Sequence, residues 1–309
     1  MRNFLLILCV TAFVVGCGGA GSQRATDTTQ GEWVLVWSDE FEGGEGPGFH
    51  RGLDLSIWEI QTGNGRTMGL NGWGNYEIQY YHGDNVWVED GMLHIEARLE
   101  ERGSDFEGHW RHTSGRIRSV GTEGIREAFG HGKSVKYGRI EASISLPYGE
   151  GLWPAFWMMP TYDIYGTWAA SGEIDIMEAR GRQPDRSTSA IHFGGQWPHN
   201  TYVYATYIFG DDRTINDFIV YAVEWEPGEM RFLVDGNVFW TVNEWHTHVR
   251  GRESEGEMHE FPAPFDQYFH ILLNLAIGGW FDSGRQPCDS LFDEPVLMRV
   301  QYVRVYAKK

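Results

Sequence analysis

Three carboxylates lie within one apolar run, GEIDIMEAR, at residues 172–180. They are Glu173, Asp175 and Glu178. Like charges this close raise one another's pKa and oppose folding, so their presence in an apolar run needs a reason. Two carboxyl groups held about 5–5.5 Å apart can cleave a glycosidic bond, one as nucleophile and the other as general acid/base. The plainer interpretation of the run is the solvated face of an edge strand.

The spacing of the three acids does not fit a regular strand. Side chains alternate between the two faces of a strand, so Glu173 and Asp175 would share a face and Glu178 would point to the other. One extra residue, a β-bulge at Met177 or its neighbour, would return Glu178 to the face of the other two acids. A shared proton or hydrogen bond from Asp175 would then tune both glutamates. The spacing does not decide which glutamate is the nucleophile.

The elements that must hold these acids are predicted to be strands. Short β-type runs recur from about residue 33 to the C-terminus, separated by turn signals such as EDG and VDGN. The runs MRFLV and VFWTV, joined by DGN, predict a hairpin. No amphipathic helix pattern lies between the strands, which argues against a parallel α/β fold. The sequence therefore predicts an all-β sandwich or barrel, in a single catalytic-size domain over residues 32–309.

The N-terminal residues predict export. Arg2 precedes the apolar run FLLILCVTAFVV, which is too short to span a membrane and is typical of a signal peptide over residues 1–16. The ending VVGC resembles the bacterial lipoprotein signal, in which Cys17 is lipidated and becomes the mature N-terminus. Residues 17–31 are mostly small and polar and suit a flexible tether. We expect an exported protein, lipid-anchored to the cell envelope or secreted, with the lipid at Cys17 as its membrane contact.

Composition limits the partners and the cofactors. The net charge of −18 argues against nucleic acid or another polyanion and favours a neutral partner. The 14 Trp and 40 Gly are typical of short strands, tight turns and aromatic binding surfaces. Removal of Cys9 with the signal and lipidation of Cys17 would leave only Cys288 as a thiol, so no internal disulfide is expected. The His residues are scattered, without the Cys/His spacing of a metal site. We expect a monomer.

The acidic run resembles a known signature. EIDIME is similar to the ExDxxE motif of glycoside hydrolase family 16, in the form with one extra residue found in its laminarinase-like branch. The resemblance covers about residues 33–307 and implies a jelly-roll β-sandwich of two curved antiparallel sheets, with a substrate cleft on the concave face. The other blocks that resemble this branch are, in order, NGWGNYEIQYY, VEDGMLHIEAR, TSGRIRS, YGRIEASISLP, GLWPAFWMMP, YAVEWEPGEMRFLVDG and LLNLAIGG.

The resemblance also implies roles for the acids. Glu173 would be the nucleophile, Glu178 the general acid/base and Asp175 the assisting acid of a retaining endo-β-1,3-glucanase that requires no cofactor. Its polysaccharide substrate would be laminarin-like glucan, with mixed β-1,3/1,4-glucan as an extension. One alternative is a red-algal galactan as substrate, because such enzymes also carry ExDxxE, although the acidic balance disfavours a sulfated polymer. The other is a surface lipoprotein that binds glucan without cleaving it; such proteins usually lack one acid, and this chain keeps all three.

The same resemblance assigns contacts with the sugar. Trp153 and Trp157 are four residues apart, so they would share one strand face, where indole rings stack on sugars. His192 alternates with apolar residues and is expected beside Glu178. Glu224 and Trp225 lie on successive faces of a regular strand, so at most one of them can face the sugar, and Trp225 is the one expected to do so. The alternatives for these side chains are the sandwich core, a turn or the surface. The residues expected to line the cleft are Asn75, Arg116, Trp153, Trp157, His192, Trp225 and Trp280.

Two features bear on how closely the family pattern holds. Residues 120–133 form a longer segment than in the family, with a short helix GIREAF that would reshape one end of the cleft. Many relatives bind a structural calcium on the convex face, and Glu40 and Gly91 match two of its positions. The third position is Gln301, which offers a carbonyl oxygen but no charge. A structural calcium ion at Glu40 and Gly91 therefore stays an open expectation.

Overall fold

The computed structural model describes residues 32–119 and 134–309. The signal peptide, Cys17 and the tether predicted over residues 1–31 lie outside the described residues, as does the segment 120–133 with its expected helix. Trp33–Lys309 form one compact unit.

Within the described ranges the secondary structure consists of β-strands and short 3-10 helices, with no α-helix. The strands are β1 (Trp33–Asp39), β2 (Phe49–His50), β3 (Leu53–Asp54), β4 (Trp58–Ile60), β5 (Gln79–Tyr81), β6 (Val86–Glu89), β7 (Met92–Ser104), β8 (Gly108–Ser114), β9 (Arg116–Ser119), β10 (Gly138–Ser145), β11 (Leu152–Pro160), β12 (Glu173–Glu178), β13 (Arg186–Gly194), β14 (Asn200–Ile208), β15 (Ile219–Glu226), β16 (Glu229–Val234), β17 (Asn237–Val242), β18 (Phe269–Ile277) and β19 (Val296–Lys308). The 3-10 helices are Arg66–Met68, Asn71–Gly74, Gly83–Asn85, Glu253–Glu255, Trp280–Asp282 and Asp289–Asp293.

Two large sheets pack against each other, and β2 and β3 form a separate two-stranded sheet. The ten-stranded sheet has the order β17-β16-β15-β10-β19-β7-β8-β5, with β1 paired to β19 and β6 to β7. The seven-stranded sheet has the order β14-β13-β12-β11-β18-β9-β4. The chain passes repeatedly from one sheet to the other, so most neighbours in a sheet are distant in sequence. The described pairings between named strands are antiparallel, with the exception of β5 with β8, which is parallel. The predicted all-β jelly-roll sandwich is confirmed.

The core between the sheets follows from strand alternation. In β11, Phe156 and Met158 are fully buried, whereas Trp153 and Trp157 on the opposite face are half-buried. The same alternation places Trp225 of β15 in the core at 0% exposure. Each large apolar side chain buried in this way contributes roughly 1.5–3 kcal/mol relative to exposure, and together they hold the two sheets face to face.

The predicted hairpin is also present, between β16 and β17. Asp235 and Gly236 connect the strands, and both have positive φ, 47° and 77°. Positive φ at both central residues is the geometry that matches the twist of a tight hairpin, and it explains the Asp-Gly sequence. In the described part of the chain, no helix has the length and apolar character needed to cross a membrane.

Candidate active site

Strand β12 contains the irregularity that the spacing of the acids required. Asp175 pairs with Ala190 on β13, but the next aligned pair is Glu178 with Thr188, so two residues of β12 oppose one of β13. An extra residue shifts every later side chain to the other face. The predicted β-bulge is therefore present, and it brings Glu178 onto the face that carries Glu173 and Asp175. We call this side of the seven-stranded sheet the acid face.

The extra residue is Ile176 and not Met177. On β11, Asp175 and Met177 both have partners, and Ile176 between them has none. Ser189 Oγ donates to the carbonyl oxygen of Ile176 at 2.7 Å, which satisfies a backbone group next to the interrupted ladder. Ile176 and Met177 are both buried, at 2% and 0% exposure. The core thus anchors both residues of the bulge and fixes the direction of Glu178.

Each of the two glutamates accepts a hydrogen bond from an indole. Trp168 Nε1 donates to Glu173 Oε2 at 2.5 Å, and Trp153 Nε1 donates to Glu178 Oε1 at 2.8 Å. An indole is a donor only, so it orients a carboxylate and favours its ionised form without adding a charge. The two carboxylates are therefore held in place separately and differ in their surroundings.

The third acid contacts an imidazole. His192 lies on β13 directly opposite Glu173, and its Nε2 is 3.3 Å from Oδ2 of Asp175. We expected His192 beside Glu178; its described ion-pair contact is with Asp175, although its charge also acts on Glu178. Asp175 is 3% exposed, so it can influence a bound substrate only through the residues that it contacts.

The electrostatics of the acid face favour bound protons. Burial raises the pKa of Glu178 to about 7, against the lowering effects of His192 and of the hydrogen bond from Trp153. Burial and the charges of Glu173 and Glu178 raise the pKa of Asp175 well above its ordinary value. Burial lowers the pKa of His192, but Asp175 and the two glutamates outweigh that effect and raise it to about 9. A protonated carboxyl near neutral pH is what a general acid requires.

Two aromatic residues flank the acids as expected. Trp153 and Trp157 lie on the acid face, half-buried, four residues apart on β11. The Trp153 ring stacks on Phe281 with centroids 5.0 Å apart and an angle of 18°. Trp157 Nε1 donates to Oδ1 of Asn274 at 2.7 Å. The indoles are thus fixed by packing and by hydrogen bonds before any sugar is bound.

A buried polar chain supports Trp157 from behind. Asn274 Nδ2 donates to the Tyr81 hydroxyl at 3.1 Å, and that hydroxyl donates to Glu77 Oε2 at 3.1 Å. Burial raises the pKa of Glu77, and the nearby Arg116 charge opposes the rise. Each link has one donor and one acceptor, so the chain sets the orientation of the Trp157 side chain.

Three of the residues predicted to contact the sugar, Asn75, Arg116 and Trp280, lie on or near the acid face. Arg116 is buried, with its guanidinium 4.3 Å from the centroid of the Trp73 ring, and its described contacts are within the protein. The Asn75 carbonyl oxygen accepts from the Trp280 backbone N–H at 2.9 Å. Trp280 is 66% exposed and packs edge-on against Tyr76, so an exposed aromatic pair lies beside Asn75.

The prediction for Trp225 was wrong. β15 belongs to the ten-stranded sheet, and Trp225 points into the core, where its Nε1 donates to the carbonyl oxygen of Phe265 at 3.2 Å. Its neighbour Glu224 points outward and pairs with Arg139 and Arg231. Neither side chain lies on the acid face. Alternation gave the two faces of the strand correctly, but not the sheet to which the strand belongs.

The side chains expected to hold calcium have other partners. Both carboxylate oxygens of Glu40 accept from Arg304, each at 2.9 Å. Oε1 of Gln301 accepts from the Ser143 hydroxyl at 2.7 Å. Calcium prefers several oxygen ligands that include carboxylates, and the Glu40 carboxylate is already neutralised by an arginine. These side chains do not fit a calcium site, although Gly91 does lie in a turn with positive φ.

Sequence reasoning missed several residues of the site. Glu77, Gln79 and Tyr81 alternate in EIQYY, and this period-two pattern of polar residues could have identified them as one face. Trp168 lies in a turn region outside the strand-like runs, so no periodic signal marked it as the donor to Glu173.

Two tyrosines on the edge strand were also missed. Tyr202 stacks on His192 with ring centroids 5.2 Å apart, and Tyr204 stacks on Tyr202 at 6.0 Å. Both are more than half exposed. Tyr202 pairs with His192 in register, so the two tyrosines extend the acid face to the edge of the sheet at β14.

Comparisons with known proteins agree with the fold and with a glycoside hydrolase family. The model of the family "Glycosyl hydrolases family 16" matches residues 74–255. The glucan endo-1,3-beta-glucosidase A1 of Niallia circulans is 40% identical over 92% of this chain and 39% of its own length. The beta-glucanase of Rhodothermus marinus is 36% identical over 99% of this chain and 94% of its own length. The laminarinase catalytic domain from Thermotoga maritima MSB8 has a TM-score of 0.73 and 31% identity, and the similarity covers 90% of this chain and 99% of that one.

The chain belongs to glycosyl hydrolases family 16. This chain spans 39% of the length of the Niallia relative and nearly the full length of the Rhodothermus one. The sequence and the two-sheet fold of this chain are thus those of a glycoside hydrolase.

Proposed function

We propose that this chain is a retaining endo-glycosidase that hydrolyses β-1,3-linked glucan of the laminarin type. The bulge in β12 carries the proposal, because it sets Glu173 and Glu178 on one face, each held by its own indole. The substrate class is supported by the relatives that are named as 1,3-β-glucosidases and laminarinases. Trp153 and Trp157 supply flat apolar surfaces beside the acids, which suit sugar rings.

The first step forms a covalent intermediate. The Glu173 carboxylate attacks the anomeric carbon while Glu178 donates its proton to the glycosidic oxygen, and the carbon–oxygen bond to the leaving sugar breaks. In the second step Glu178, now ionised, takes a proton from water, and the water oxygen displaces Glu173 from the anomeric carbon. Two inversions leave the product in the original β configuration. Asp175 and His192 position the acids and hold protons beside them, so these steps require no cofactor.

A leaving group that needs no protonation separates the roles of the two glutamates. On laminarin, Glu173→Gln and Glu178→Gln should both lose nearly all hydrolysis. On a 4-nitrophenyl β-laminarioligosaccharide, Glu178→Gln should still release nitrophenol in a first burst, whereas Glu173→Gln should not. The exposed Glu244→Gln serves as the matched control and should act as wild type. A Glu173→Gln variant that still turns over either substrate would sink the assignment.

The substrate class needs a direct comparison. Release of reducing ends should be greatest on laminarin, and lower on lichenan, which contains β-1,3/1,4 linkages. Agarose and carrageenan test the galactan alternative. Greater activity on a galactan would replace the glucan proposal, and binding of laminarin without any new reducing ends would favour a protein that only binds glucan.

We also propose that the chain is exported and anchored through lipid at Cys17, which lies outside the described residues. The proposal is supported by the VVGC sequence and suits an enzyme that acts on a polymer outside the cell. Labelled palmitate should enter the wild-type protein, and Cys17→Ser should remove the label and release the protein from the membrane fraction.

Sedimentation of the mature enzyme at the mass of one chain would support a monomer.

A further inference from the structure

We propose that Glu173, Asp175 and His192 form a binding site for one divalent transition-metal ion of the zinc type, and that the bound ion blocks the enzyme. One possible ligand atom from each of the three residues lies within 4.8 Å of the others. Two carboxylates and one imidazole form a donor set that zinc accepts. This ion is required neither by the family resemblance nor by the catalytic roles proposed above for these residues.

The distances suit a small ion. Two ligand atoms bound to a tetrahedral zinc at about 2.0–2.1 Å are separated by about 3.3–3.4 Å. Asp175 Oδ2 and His192 Nε2 are 3.3 Å apart, so this pair already has the required separation. The remaining distances, at most 4.8 Å, must close by no more than about 1.4 Å. Rotation within the longer Glu173 side chain can supply that movement without a change in the backbone.

The strand pairing makes this geometry a built feature of the sheet. Glu173 and His192 are opposed residues of β12 and β13, and Asp175 follows two positions along on the same face. Tyr202 stacks on the imidazole and Trp168 packs against it at a centroid distance of 5.6 Å. The ring is therefore fixed with Nε2 towards Asp175 before any ion arrives.

Unpartnered polar atoms point to the same place. Asp175 Oδ2 is buried and has no hydrogen-bond partner among the described residues, although it lies in ion-pair distance of His192. Trp168 occupies only one position on the Glu173 carboxylate, which has two oxygens. A buried carboxylate oxygen is costly without a partner, and an ion could bind this oxygen in place of its 3.3 Å contact with His192.

The donor set also predicts which ions bind. Imidazole suits zinc, copper, cobalt and nickel, whereas calcium and magnesium prefer six or more oxygen ligands or retained waters. His192 Nδ1 has no hydrogen-bond partner among the described residues, so the ring lacks the second contact that strengthens many histidine–metal sites. We therefore expect reversible binding that a chelator removes, and no comparable binding of calcium.

Inhibition rests on the proposed function, but binding does not. An ion held by Glu173 would occupy the lone pairs that the nucleophile needs and would also hold Asp175. The enzyme would then still bind glucan through its aromatic residues and lose turnover. Binding and inhibition can be measured separately, so the failure of one is distinguishable from the failure of the other.

Calorimetric titration of ZnCl2 into the chelator-treated mature enzyme tests the site. We expect one ion per chain in wild type, and affinity at least tenfold weaker in both His192→Ala and the isosteric Asp175→Asn. Two variants are used so that local misfolding of one of them cannot explain the loss of affinity. Both should show the wild-type circular dichroism spectrum. Wild-type affinity in both variants, or CaCl2 binding as tight as ZnCl2, would overturn the proposal.

A matched histidine variant excludes the main competing site. His246 and His248 lie with ring centroids 5.1 Å apart, so this pair of imidazoles could bind zinc elsewhere in the described part of the chain. His246→Ala should leave the stoichiometry and affinity unchanged; if it abolishes binding, the ion is not on the acid face. Laminarin hydrolysis, followed in parallel, should fall with zinc occupancy and recover with chelator. Full activity at saturating zinc would overturn the blocking role.

Discussion

Replacement of Trp153 by Phe should move the alkaline limb of the pH profile. Trp153 Nε1 donates to Oε1 of Glu178 at 2.8 Å, and this hydrogen bond lowers the pKa of that carboxyl. Phe keeps a ring in contact with Phe281 but cannot donate. Removal of a donor to the ionised form therefore raises the pKa of Glu178 above the value of about 7 that burial gives it.

The size of the shift follows from the strength of one such bond. A hydrogen bond to a charged group contributes about 1.5–3 kcal/mol, and one pKa unit corresponds to about 1.4 kcal/mol. Trp153 is half-buried, so water can replace part of the lost contact, and the lower end of this range applies. We expect an increase of roughly one unit. Because Glu178 acts while protonated, activity should persist to higher pH in Trp153→Phe.

The assay is kcat/KM on laminarin between pH 5 and about 9.5, which reports the groups of the free enzyme. Wild type should lose activity above a pKa of about 7, and Trp153→Phe above about 8. Trp157→Phe is the control, because its indole lies on the same strand face but donates to Asn274. An unmoved limb in Trp153→Phe, or an equal shift in both variants, would refute the role of Glu178 or of its indole.

Three further predictions test other parts of the structure. Ser189→Ala leaves the Ile176 carbonyl of the bulge without its donor and should lower the free energy of urea unfolding by about 1–3 kcal/mol; no measurable loss would mean that this bond does not hold the bulge. Addition of CaCl2 should leave the Tm of the chelator-treated enzyme unchanged, because Arg304 holds Glu40, and a rise of several degrees would restore the calcium expectation. Trp225→Ala should cost about 3–5 kcal/mol of unfolding free energy, with the KM of the folded enzyme unchanged, and a raised KM would speak for a cleft position.

Sequence patterns predicted those features that depend on a single strand. Period-two alternation made the misfit of Glu178 visible and required a bulge, because the acid would otherwise lie in the core. Its exact position was not predictable, since Ile176 is the extra residue only in relation to the register of β11. Trp153 and Trp157 share the acid face as expected, because β11 runs without a bulge between them and residues four apart then point the same way.

Two of the failures have a non-local cause, and the third comes from an irregular turn. Trp225 alternates as correctly as Trp153 does, but the sheet that receives its strand depends on pairing with distant segments. The partner of Glu40 is Arg304, 264 residues away, and no sequence window contains both. Trp168 reaches Glu173 from a turn, where no periodicity exists to indicate a direction.

The stereochemistry of the first product tests the central claim most directly. If the bulge brings Glu173 and Glu178 together for double displacement, proton NMR during the first minutes of laminarin hydrolysis should show the β-anomer, which then mutarotates to the equilibrium mixture. An initial α-anomer would require a single displacement by water, and would contradict the assignment of Glu173 as nucleophile.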